Sequence, residues 1–139
     1  MAERRPGVIP AVLGMDLGTS EVKAALVGLD GTLLELARAG YPTDTGPDGR
    51  AEQDPRDWYA AIASAVRPWW TTPRRTGQDP RLVEVQAVCC VGQGPTLAAV
   101  DAAGEPVRNA LTWQDRRPGA GGYGLLPRMA WLAREDPAA

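Results

Sequence analysis

The chain has 139 residues, 44% hydrophobic and 23% charged, with a formal net charge of -2, which is the composition of a soluble globular chain of single-domain size. Acidic and basic residues are interspersed, so no single-signed field exists to attract nucleic acid or an anionic membrane, and neither partner is expected. With no histidine and only two cysteines, a zinc site would need carboxylates alone, which zinc rarely accepts, so structural zinc is excluded.

Arg4 and Arg5 precede an apolar stretch over residues 8–15, but Pro10 interrupts it and Asp16 ends it without a small-residue cleavage site. A secretory signal is therefore the weaker reading, and no segment approaches the length of a membrane span. Residues 1–10 are expected to form a flexible tail, and the protein to be cytoplasmic. Fourteen arginines against one lysine, Lys23, point to a biased genome more than to a function.

Residues 11–16 and 22–29 read as strands on either side of a Gly-Thr-Ser turn. Asp30-Gly31 supplies a tight turn, and residues 32–39 resume strand composition, so the opening is an antiparallel three-strand meander. Residues 41–53, rich in Gly, Pro, Asp and Thr, read as a loop leading to a helix. Asp54 can cap that helix, Pro55 suits its first position and Asp57 adds a carboxylate to the first turn. Trp58, Ile62, Val66 and Trp69 then share one face, and the helix is expected to end near Pro68.

A second loop is expected over residues 71–81, then a buried central strand over 82–91. Cys89 and Cys90 sit inside that strand, where neighbouring side chains point to opposite faces and cannot easily bridge, so they read as buried thiols of a reducing compartment. Residues 96–101 and 107–113 form another expected hairpin around a turn at 102–105. A Gly-rich segment over 118–124 and a short apolar helix around 129–133 follow.

The chemistry concentrates between the first two strands, at Asp16-Leu17-Gly18-Thr19-Ser20 and Lys23. Gly18 lets the backbone approach a phosphate closely, and the turn amides with the Thr19 and Ser20 hydroxyls can donate to phosphate oxygens. Asp16 would repel a phosphate unless a divalent cation lay between them, so the pairing implies magnesium held by Asp16 partly through water. Lys23 either reaches the turn as a positive charge or is solvated at the strand end. The plain alternative is an ordinary hairpin with turn-forming residues.

The P-loop pattern is absent. Gly119-Ala120-Gly121-Gly122-Tyr123-Gly124 matches Gly-x-Gly-x-x-Gly but follows Arg-Arg-Pro rather than an apolar strand, so it reads as a flexible loop.

A second constellation joins Gln93-Gly94-Pro95-Thr96 with Trp113-Gln114-Asp115-Arg116-Arg117. Amide, carboxylate and guanidinium groups can pair with alternate hydroxyls of a polyol while the indole covers its carbon face. The bland alternative is a core tryptophan, surface charges and a Gly-Pro turn.

The ordered set of Met15-Asp16-Leu17-Gly18-Thr19-Ser20 with Lys23, the Asp30-Gly31 hairpin, Glu52-Gln53-Asp54-Pro55 leading to Trp58, Gly92-Gln93, and Trp113-Gln114-Asp115-Arg116-Arg117 resembles the beginning of FGGY carbohydrate kinases, among them xylulokinases and glycerol kinases. The resemblance runs from about Leu13 to the final residues. It implies an α/β, ribonuclease H-like domain of the actin and sugar-kinase superfamily, incomplete here, with residues 1–139 the amino-terminal part of the first domain and the second domain absent.

By the same resemblance, Asp16 and Thr19 would lie near magnesium and the transferred phosphate, with Gly18, Ser20 and Lys23 completing the ATP side. Gln93, Gly94, Pro95, Trp113, Asp115 and Arg116 would line the sugar side. Gly94-Pro95 stands where xylulokinases carry a Met-His pair, and Pro118 to Gly124 replaces a longer helical stretch. The implied reaction is ATP-dependent phosphorylation of a sugar or polyol, with the catalytic base beyond residue 139.

Three classes follow: a kinase present as a fragment, inactive alone and completed by its missing remainder or a homodimer; a non-catalytic sugar- or phosphate-binding module; and a degenerate remnant.

Overall fold

The computed structural model describes residues 7–71, 82–119 and 124–137. The expected loop over 72–81 and the centre of the Gly-rich segment, 120–123, lie outside the described residues. The chain divides into two compact units, one formed by Met1–Gly40 with Ala60–Gly92, the other by Tyr41–Tyr59 with Gln93–Ala139.

The first unit is built on a four-stranded sheet in the order β3-β2-β1-β6, from β1 (Ile9–Leu17), β2 (Glu21–Gly28), β3 (Leu33–Gly40) and β6 (Val83–Gly92). β1, β2 and β3 form the expected antiparallel meander, while β6 joins β1 in parallel. Asp30-Gly31 makes the second turn: Gly31 has φ +89°, a conformation that costs a residue without a side chain little, and the Asp30 carboxylate accepts from the Thr32 N–H at 2.9 Å. β1 begins at Ile9, so the expected tail fails at Ile9 and Pro10, which pair with Val83 and Glu84.

α1 (Pro55–Val66) starts as anticipated, with the Asp54 carboxylate accepting from the Arg56 N–H at 2.9 Å. Pro68, which lacks an N–H, closes it and opens the short α2 (Pro68–Thr71). Within the first unit Ala61, Ala65 and Trp69 are buried, at spacings of four residues. Trp69 packs with Ala11, Ala24, Leu26 and Leu34 to form the core, each larger side chain contributing about 1.5–3 kcal/mol of burial.

β6 departs from expectation. Sequence alone reads it as a buried central strand, but it is the edge of its sheet, and Val88 and Val91 are exposed. Cys89 and Cys90 are exposed as well, not buried. An apolar strand is buried only where another layer covers it, and among the described residues that cover reaches Val83 and Val85 but not the following residues.

In the second unit, part of the expected loop over 41–53 is strand: β4 (Asp44–Thr45) and β5 (Ala51–Gln53) join β7 (Ala110–Leu111) in a three-stranded antiparallel sheet. Two- and three-residue strands are too short to show a period of two in sequence. The expected hairpin after residue 96 survives as bridges from Leu97 to Leu111 and from Val100 to Pro106. α3 (Leu125–Glu135) is longer than the apolar run anticipated within it.

Candidate functional site

The first cluster lies at the turn joining β1 to β2. Backbone pairing sets Asp16 directly across from Lys23, and side chains opposite one another on antiparallel strands share a face, which brings Lys23 Nζ to 3.8 Å from Asp16 Oδ2. Both side chains are near half-exposed, at 43% and 49%. Such a pair holds its partners weakly, by about 0–1 kcal/mol, so either charge can be drawn to a ligand at small cost.

Between them, the Gly18 N–H donates to Glu21 O at 3.0 Å and closes the turn. A Cβ at Gly18 would meet that same oxygen at 3.1 Å, so glycine serves the tightness of the turn, while the Gly18 amide is already engaged. Thr19 is half-buried and Ser20 exposed. The five residues expected to face a phosphate, Asp16, Gly18, Thr19, Ser20 and Lys23, thus gather on one turn and its two flanking strand ends.

The second cluster belongs to the second unit and contrasts with the first in how its charges are used. Asp115 is 4% exposed. Its carboxylate accepts from the Ala51 N–H at 3.0 Å, the Arg117 N–H at 3.1 Å, and Arg117 Nε and Nη2 at 3.1 and 2.6 Å. Arg117 Nη2 also donates to Glu52 Oε1 at 2.5 Å, and Arg108 Nη2 reaches the same oxygen at 2.8 Å. The Arg117 guanidinium lies 4.7 Å from the Trp131 ring centroid and that of Arg108 5.9 Å.

Burial by itself would raise the Asp115 pKa. The hydrogen bonds from Arg117 and Ala51 outweigh it and hold the carboxyl below its ordinary value, while the Arg117 pKa is raised. Asp115, expected to meet a ligand hydroxyl, is instead consumed in fastening the 112–117 loop to β5.

That loop turns outward on either side of Asp115. Trp113 is 37% exposed, and Arg116 is exposed with its backbone N–H donating to Gly49 O at 2.9 Å. From behind, the buried Arg128 guanidinium donates to Thr112 O, Trp113 O and Gly124 O at 3.2, 2.9 and 2.9 Å. Sequence reasoning missed Arg128, Arg108 and Glu52 as parts of this scaffold. The one available signal for Arg128 was a single cation inside the apolar run of α3.

Gln93 is half-buried, Gly94 exposed, and the Gly94-Pro95 peptide is cis. An added Cβ at Gly94 would meet nothing within 4 Å, so open space lies beside it. Gln93 Nε2 donates to Gln53 Oε1 at 2.7 Å, and Gln53 Oε1 also accepts from Trp58 Nε1 at 3.0 Å. Gln93 Oε1 and Thr96 Oγ1 are buried with no hydrogen-bond partner.

The β1-β2 turn and the loop around Asp115 both lie in a stretch of sequence with known relatives. Residues 11–120 match the model of the FGGY family of carbohydrate kinases, N-terminal domain. The chain belongs to the FGGY family. It is 34% identical over 130 residues to the xylulose kinase of Streptomyces coelicolor, a match covering 90% of this chain and 25% of that protein. It is 30% identical over 154 residues to the xylulose kinase of Streptomyces rubiginosus, covering 94% of this chain and 30% of that one.

The solved xylulose kinase of Rhodospirillum rubrum shares the fold, with a TM-score of 0.78 at 21% identity over 92% of this chain and 30% of that one. The FGGY resemblance and the incomplete α/β fold of the sugar kinases are thus as the sequence implied. The chain spans 25 to 30% of the length of these relatives.

Proposed function

We propose that this chain carries the phosphate turn and part of the sugar side of an ATP-dependent carbohydrate kinase, which transfers the terminal phosphoryl group of ATP to a hydroxyl of a sugar or polyol. The supporting observation is the family match spanning residues 11–120, which contains the turn where a loosely held Asp16 stands beside Thr19 and Ser20. Phosphoryl transfer depends mainly on positioning and on neutralising charge, and the turn offers both kinds of group.

The donor set suits magnesium. Among the described residues no three His, Cys, Asp or Glu gather, so a cation at the turn would take one carboxylate, Asp16, with phosphate oxygens and water making up the rest, as magnesium commonly does. When bound, the ion would neutralise phosphate charge. The Thr19 and Ser20 hydroxyls donate to phosphate oxygens, and Lys23 adds a positive charge as Asp16 turns to the metal.

On the sugar side, Trp113 offers its indole face, Arg116 and Gln93 offer polar groups, and the Gly94-Pro95 backbone leaves room for the carbon chain. Asp115 acts through the architecture, by holding the loop that carries Trp113 and Arg116. No catalytic base is assigned within the chain, and the sugar kinase reading puts the base and the adenine pocket outside these residues. No described helix is long and apolar enough to cross a membrane. A reducing, cytoplasmic setting suits two exposed thiols on adjacent strand positions.

Isothermal calorimetry of the chain with magnesium-ATP, beside Asp16→Ala, tests the reading. We expect binding by the wild-type chain, its loss in the variant, and no sugar-dependent ATP turnover by the chain alone. Equal binding by both proteins would overturn the role of the turn.

A further inference from the structure

Of the amides that the second unit encloses, one has an orientation fixed by its neighbours and an oxygen left over. Indole nitrogen only donates, so Gln53, 2% exposed, must turn its oxygen toward Trp58 Nε1 at 3.0 Å. Its nitrogen then faces Thr43 Oγ1 at 2.7 Å. The same Gln53 oxygen takes a second donor at 2.7 Å, and that donor has to be the Gln93 nitrogen, because two amide oxygens in that position would repel. The Gln93 oxygen is thereby directed away from Gln53, buried and unpartnered, on the residue that precedes Gly94 and three residues before the unpartnered Thr96 hydroxyl.

A buried polar group with no partner costs about 1–3 kcal/mol, a penalty that a native structure keeps where a ligand removes it. We propose that Trp58 and Gln53 are positioning residues that lock Gln93 so that it presents an acceptor, and only an acceptor, to an O–H group of a neutral polyhydroxy ligand. This inference rests on the sugar-side reading above and deepens it. A hydroxyl satisfies the Gln93 oxygen by donating to it, and Thr96 can either donate to or accept from a second hydroxyl. A carboxylate has no proton to give and is disfavoured there, because like acceptors face each other. Gln93 is half-buried and adjoins the exposed Gly94, where an added Cβ meets nothing within 4 Å, so a ligand entering there has room beside the fixed amide.

The test is NMR of the chain with the glutamine side chains labelled, titrated with glycerol, ribitol and a pentulose, with Trp58→Phe and Gln93→Leu beside the wild type. The Phe variant keeps an aromatic ring but removes the N–H together with the rest of the five-membered ring. We expect a downfield shift of the Gln93 carboxamide carbon on polyol binding, as its oxygen accepts. Trp58→Phe should move the Gln93 side-chain N–H resonances in the ligand-free protein while the backbone spectrum is kept, and should weaken polyol affinity by about threefold. Gln93→Leu should weaken it by about tenfold, the loss of one hydrogen bond.

If the wild-type chain binds a polyol while both variants bind equally well, or if the Gln93 amide signals ignore Trp58→Phe, this inference is overturned and the sugar-side reading stands. If the wild-type chain binds none of the three ligands, the sugar-side reading fails and takes this inference with it. Magnesium-ATP binding, measured separately, tells whether the phosphate turn survives that result.

Discussion

The turn between β1 and β2 and the loop around Asp115 both carry an acidic residue beside a basic one, yet they use the pair in opposite ways. Asp16 and Lys23 meet at 3.8 Å with their side chains near half in solvent. Asp115 and Arg117 meet at 2.6 Å with the aspartate side chain fully enclosed and the arginine shared with Glu52. Solvent makes the first pair cheap to separate and hence available to a ligand. Enclosure makes the second pair costly to break and hence a fastening. Charge type in the sequence does not distinguish the two roles, but burial and the number of partners do.

The sharpest way to break this contrast is Asp115→Ala, which leaves the Arg117 guanidinium enclosed beside Glu52 alone. We expect a loss of about 3–5 kcal/mol in the stability of the second unit, read by denaturant unfolding monitored through its tryptophans. A loss below 1 kcal/mol would mean that Asp115 is not a fastening at all.

The same carboxylate gives a pH dependence of known sign. Its folded pKa lies below the ordinary 3.8, so its stabilisation is fully present above 3.8 and is lost as pH falls through the folded value. Asp115→Asn should therefore flatten the acid limb of a stability profile below about pH 4, and an unchanged limb would remove the linkage.

At the turn, Asp16→Ala should change stability by no more than about 0.5 kcal/mol while removing magnesium-ATP binding, a separation of effects that Asp115 variants cannot show. The smallest effect concerns β6. Both Cys89 and Cys90 should react with a thiol reagent without denaturant, and protection of either would show that the strand end is covered in solution.

Much of the first unit was legible because its signals are local. The Asp30-Gly31 turn, the Asp54 cap and the apolar runs of β1 and β2 each act within a few residues, and β1-β2-β3 formed as read. The clustering of Asp16, Gly18, Thr19, Ser20 and Lys23 was legible for the same reason, since they lie within eight positions of one another and their strands pair in simple register. β6 was misjudged because apolar composition reports a capacity for burial, and burial needs a second layer that no local pattern supplies.

In the second unit Trp113, Asp115 and Arg116 do share one loop, but the Asp115 carboxylate is taken up by Ala51 and Arg117. Asp115 was grouped with Trp113 and Arg116 because they adjoin, but its partner Ala51 stands 64 positions away and Glu52 meets Arg117 across 65. The relay from Trp58 through Gln53 to Gln93 likewise spans forty positions between its two glutamines.

The sequence by itself determined the family, the meander, the helix start and the gathering of Asp16, Gly18, Thr19, Ser20 and Lys23 on one turn, because each depends on neighbours along the chain. Only the tertiary structure decided which carboxylate is spent on architecture, which cysteines meet solvent, and which atom of the Gln93 amide is engaged by Gln53, because hydrogen bonds between distant segments and the exclusion of water are set by folding and not by local order.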